Sequence, residues 1–161
     1  MKPLFATAFA ALAVLIGSGA VAEPVSVEVE LAPKEQLEFQ FADQSGHFIR
    51  ALRREGKAEG SGIFAGADVV EFGWHDVHPP FSGDPQGYLQ ITAPNGDVAV
   101  LHWVVKAVFT KGEARPALVN HGFWQLVRGT GQFEGKSGVG SLILRPEDKK
   151  FILEGEVGDK P

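Results

Sequence analysis

Apolar and polar side chains alternate with a period of two along most of this chain, a pattern that strands satisfy and helices do not. Val25, Val27, Val29 and Leu31 alternate with Ser26, Glu28 and Glu30. Leu37, Phe39 and Phe41 alternate with Glu38 and Gln40 in the same way. Residues 47–57 form a longer, more polar run, and residues 68–77 carry Val69, Val70, Phe72, Trp74 and Val77. The runs 88–93 and 98–109 flank Pro94-Asn95-Gly96-Asp97. An Asn-Gly pair between two such runs is the strongest short-range hairpin signal, here read as a turn with both residues at positive φ. The runs 118–127, 139–145 and 151–157 complete the set, with Pro146-Glu147-Asp148 as the turn between the last two. This makes eight or nine strands with no convincing helix after Ala22. Glycine, at 20 residues, sits between them. Many short strands with glycine-rich turns specify an all-β sandwich or barrel. Closure removes exposed edges and favours the barrel.

The first residues set the compartment. Met1 and Lys2 give a charged start, the run 4–16 is apolar, and Ala20-Val21-Ala22 supplies a small-x-small cleavage pattern. That is a signal-peptide signature, and the run is shorter than the ~20 residues a membrane-spanning helix needs. The expected organisation is a signal peptide over residues 1–22 and one β-barrel domain over residues 23–161. Cleavage near Ala22 implies a periplasmic or secreted protein with no membrane span in the mature chain. There are no cysteines, so neither disulfides nor thiol redox chemistry contribute. The formal charge of −5 and the lack of a basic stripe make nucleic acid an unsuitable partner.

One internal echo stands out. Gly60-Ser61-Gly62-Ile63-Phe64-Ala65-Gly66 matches Gly129-Thr130-Gly131-Gln132-Phe133-Glu134-Gly135. Both read as a strand ending in a tight turn, with the Phe plugging one end of the core. No Lys-Ser/Thr follows and no helix begins there, so phosphate binding is not implied. The second copy, continued through Lys136-Ser137-Gly138-Val139-Gly140-Ser141, resembles the Gly-Thr-Gly-x-Phe-x-Gly-x-x-Gly-x-Gly signature of the allene oxide cyclase and dirigent superfamily. The resemblance is strongest over residues 129–141 and weaker over residues 60–66. It implies an eight-stranded antiparallel barrel with an apolar lumen, often assembled as a homotrimer. It also implies a setting in which small apolar molecules are cyclised or coupled. No catalytic residue carries over from it, since fold does not fix function.

Glu71 sits between Val70 and Phe72 and shares a face with His75. In an apolar lumen it would be a candidate acid or base, while an outward, solvated position is the commoner fate of a charged residue. His102 lies in the most apolar run, with Trp103 on the opposite face. On a lumen face it would be a further acid or base, along with His75. His75 and His78 flank Asp76, but residues three apart on a strand point to opposite faces, so no metal site and no cofactor is expected. His121 and His47 offer no stronger case. Neither a Gly-x-Ser-x-Gly elbow nor a dinucleotide fingerprint is present. Trp74, Trp103 and Trp124 would give an aromatic interior suited to apolar molecules, with Phe81 as a contact from the turn-rich segment 76–87.

The leading expectation is a barrel that holds a small apolar ligand in its lumen without chemistry. The alternatives are a cyclase or isomerase using Glu71, His75 or His102, and a non-catalytic oligomeric interaction protein with a solid barrel.

Overall fold

All nine runs form strands. The computed structural model describes residues 22–113 and 116–161. The leader expected over residues 1–22 therefore lies outside the described residues, except for Ala22. The strands are β1 (Glu23–Glu30), β2 (Ala32–Gln40), β3 (Phe48–Ser61), β4 (Asp68–His78), β5 (Ser82–Gly83), β6 (Gln86–Thr92), β7 (Val98–Thr110), β8 (Ala117–Gly129), β9 (Lys136–Arg145) and β10 (Lys150–Asp159). The two-residue β5 has no signature in the sequence. It pairs with both β4 and β7, so much of the turn-rich segment 76–87 is tied into the sheet.

Eight strands close an antiparallel ring in the order β1-β10-β9-β8-β7-β6-β4-β3, with β3 returning to β1. The length of β3 makes closure possible. Its start pairs with β4 from Phe48 to Lys57, and its end pairs with β1 from Ala58 to Ser61. The other edge of its first half is taken by β2, which lies outside the ring and is exposed throughout. The alternating pattern that marks β2 as a strand does not bury either of its faces. Among the described residues the helical content is a single 3-10 turn, Gly131–Phe133, and no helix is long and apolar enough to cross a membrane.

The register places the inner faces in rows. One row runs Gly73, Gly87, Trp103, Trp124, Gly140, Gly155 across six neighbouring strands. Two indoles fill the centre of the barrel because glycines on either side leave room for them. A Cβ on Gly140 would stand 2.6 Å from the Trp124 indole nitrogen and 1.9 Å from the Glu154 carbonyl oxygen. One end of the barrel is sealed by the two echoed turns. Phe64 and Phe133 are both fully buried, their rings 6.0 Å apart, and Phe64 meets Trp124 edge-on at 5.7 Å.

The 94–97 turn departs from the expected geometry. Only Gly96 has positive φ, and its amide donates to the Ala93 carbonyl. The turn is therefore built around Pro94 and Asn95 in ordinary right-handed backbone, not as a two-residue primed turn. The longer loop has a use. It delivers Asp97, whose carboxylate accepts the Gln132 amide, while Val98 exchanges hydrogen bonds with Thr130 through its carbonyl and amide. The Gly-Thr-Gly signature thus holds the sealed end of the barrel together.

Candidate functional site

The opposite end is open. There β2 diverges with the start of β3, and the ring leaves a cavity of about 290 Å³. Leu52, Val77, Ala107, Phe109, Leu118 and Phe151 wall it with apolar surface. Arg50, Arg145, Lys149 and Lys150 stand around its mouth. Three of these cations are paired, Arg50 with Glu38 and both Arg145 and Lys150 with Glu28.

A charged cluster lines the cavity and the lumen beneath it. The expectation that Glu71 points outward is overturned: the residue is 0% exposed and faces the lumen. Burial of a carboxylate is tolerable only with a partner, and β3 supplies one. Arg54 stands directly opposite Glu71 in the ladder, and its guanidinium grips both carboxylate oxygens. The Nη2–Oε1 distance is 2.8 Å, the second bond runs from Nε to Oε2, and Arg54 also stacks over the Phe151 ring at 4.9 Å. His75 joins from four residues further along the same strand face, its Nε2 3.7 Å from Glu71 Oε1. That nitrogen is buried without a hydrogen-bond partner. Gly73 allows the convergence. It lies between the two on the same face, and a Cβ there would fall 2.5 Å from Glu71 Oε1 and 3.0 Å from His75 Nε2.

Burial pushes the Glu71 carboxyl up, but the hydrogen bonds and positive charge of Arg54, with that of His75, more than offset this and hold it below the ordinary carboxylate range. Glu71 is therefore ionised at neutral pH. Its two oxygens accept the Arg54 hydrogen bonds.

The remaining sequence candidates divide by face. Trp103 lies deeper than the cavity lining, 5.9 Å from the His75 ring and edge-on to Phe151 at 5.4 Å. Trp124 is deeper still, against Phe64. His102 faces outward and packs beside Tyr88, so it cannot act on anything in the lumen. Trp74 likewise faces outward, and Phe81 is exposed on the turn before β5. Neither touches the cavity, whereas Pro79 and Pro85 of the same segment do. The reason is register: β4 and β7 are apolar on both faces, so hydrophobicity alone does not say which face is inside. Arg50, Arg54 and Asn120 are inner residues that sequence reasoning missed. The one available signal was Arg54, a charge on a run that a closed ring would have to bury on one side.

His78 and Asp76 do not gather with His75, as strand alternation requires. Both point outward, and His47 meets them from across the β3–β4 ladder. His47 Nε2 lies 2.7 Å and His78 Nε2 3.2 Å from the same Asp76 oxygen.

No family model matches the chain, and no curated protein matches it. Two solved structures share its fold. A β-barrel-like protein from Acinetobacter baumannii AYE is 13% identical with a TM-score of 0.57, covering 91% of this chain and 100% of that one. A protein of unknown function from the DUF3224 family of Shewanella oneidensis MR-1 is 14% identical with a TM-score of 0.52, covering 89% and 99%. The chain is thus a β-barrel-like protein by fold. The likeness extends to the barrel and does not reach the allene oxide cyclase or dirigent proteins in particular.

Proposed function

We propose that this barrel holds a small, largely apolar molecule in the cavity at its open end, without transforming it. The supporting observation is the cavity itself. It is walled by aliphatic and aromatic side chains and has a few convergent polar groups, the usual composition of a small-molecule site. Its size, at the lower edge of the range for such sites, suits a compact ligand. The tryptophan row confines the ligand to the mouth, so the aromatic lumen expected from the sequence is replaced by a shallower site. Leu118 lines this mouth and is only half-buried, so a larger side chain there fills the cavity without disturbing the core. Leu118→Trp should weaken binding of an anilinonaphthalene sulfonate dye at least tenfold, about 1.4 kcal/mol, with an unchanged circular dichroism spectrum. Equal dye affinity in the two proteins would remove the cavity from consideration.

The cyclase or isomerase reading has one specific observation in its favour. His75 Nε2 is buried and unpartnered beside an ionised Glu71, and His75 lines the cavity. In that reading Glu71 orients the imidazole, and His75 moves the proton. His75→Gln would then abolish turnover while leaving dye affinity intact.

A further inference from the structure

We propose that His47, Asp76 and His78 form a binding site for a divalent transition-metal ion on the outer face of the barrel, beside the open end. The three come from two paired strands. Phe48 opposes Val77, so the next position along the ladder sets His47 opposite His78. Asp76 lies two residues from His78 on the same strand and hence on the same face. Cross-strand neighbours on one face have Cβ atoms only about 5 Å apart, which brings three side chains to one point. One candidate ligand atom from each residue lies within 4.8 Å of the other two.

The donor set fits such an ion. Two imidazoles and one carboxylate carry one formal negative charge when the histidines are neutral. Zinc–nitrogen bonds of about 2.0–2.1 Å place neighbouring ligands some 3.3 Å apart. The two His–Asp distances of 2.7 and 3.2 Å both lie just below that spacing, within what side-chain rotation can adjust. Imidazole donors select zinc, nickel or copper over magnesium and calcium. Support comes from outside the trio as well. The Phe41 ring stacks on His47 at 4.1 Å, and His47 stacks on His78 at 3.7 Å. His47 is thereby clamped, with its side chain 17% exposed, while His78 is 49% exposed and leaves the outer side open. Three protein ligands and an open position describe a site that keeps a water or takes a ligand group from solution.

Sequence pattern alone does not reveal this trio, because His47 is 29 residues from Asp76 and the pairing of β3 with β4 is what joins them. The site is independent of the cavity reading, since Asp76 and His78 point away from the lumen that His75 and Val77 line.

Calorimetric titration of the full chain with zinc should show one equivalent bound, with no comparable heat from magnesium. His47→Ala, Asp76→Asn and His78→Ala should each weaken zinc by more than about tenfold, and His121→Ala should not. Histidine side-chain NMR provides a check that needs no variant: zinc should shift the ring signals of His47 and His78 and leave those of His75, His102 and His121 in place. Absence of stoichiometric binding would overturn the site. So would full affinity in all three variants, or NMR shifts confined to other histidines.

Discussion

Replacing Arg54 with methionine should destabilise the barrel by about 3–5 kcal/mol, the usual cost of leaving one member of a buried ion pair without its partner. Glu71 is the reason. It is wholly buried, and Arg54 is the only group that hydrogen-bonds to it at close range among the described residues. Acid titration separates this loss from simple loss of packing. In the wild type the folded carboxyl titrates below its unfolded value, so its contribution is complete above the unfolded range, about pH 4.3, and is lost as pH falls through the folded value. In Arg54→Met burial acts with less opposition and raises the folded carboxyl above the unfolded one. The variant should therefore gain stability as pH falls from about 7 to about 5, where the wild-type contribution of this group is flat. Urea midpoints at several pH values would show this. Parallel pH profiles for the two proteins would mean that the pair does not set the ionisation of Glu71.

Trp103→Ala should cost about 3–5 kcal/mol, the range for removing a large buried aromatic. The side chain is fully buried and stands between the charged cluster and the apolar core below. On one side its neighbours in the row, Gly87 and Gly73, carry no side chains that could move into the space, and on the other Trp124 is held against Phe64, so the void would persist. Trp103→Phe separates bulk from polarity. The indole nitrogen has no hydrogen-bond partner, and losing it forfeits no bond. The phenylalanine variant should thus retain most of the stability that the alanine variant loses. Chemical denaturation measures both. A loss below about 1 kcal/mol for Trp103→Ala would show that the surrounding strands collapse inward.

The strands were legible because alternation is a local property, clean in residues 25–31 and 37–41, and because turn residues bound the remaining runs. Closure was legible only as a preference, since it depends on β3 being long enough to pair with β4 at one end and β1 at the other. The candidate site was less accessible. Glu71 looked solvated because a charged side chain is almost never fully buried unless it is paired. In fact Phe72 is 55% exposed and the lone charge is inside. What stabilises that arrangement is Arg54, seventeen residues earlier, and the connection exists only once the β3–β4 register is known. The face of His102 was left open for the complementary reason: β7 is apolar on both sides, and one step in register exchanges His102 for Trp103. The Phe plugs were read correctly because the repeated glycines mark turns wherever they occur. The β2 strand was recognised by its period, yet its Leu37 and Phe39 remain 75% and 61% exposed.

The sealing of one end by Phe64 and Phe133 has a kinetic meaning for the ligand we propose at the other. A barrel with two openings can serve as a conduit, with solvent leaving ahead of an advancing solute. Here entry and departure share a single doorway, and each arriving molecule must exchange places with outgoing water through the same gap. Residence time of the proposed ligand would therefore be set by the groups at that doorway, among them Phe48 and Arg50 at the start of β3 and Pro79 and Pro85. For the ligand we propose, such a barrel would be a vessel, which holds a molecule and hands it back rather than passing it through.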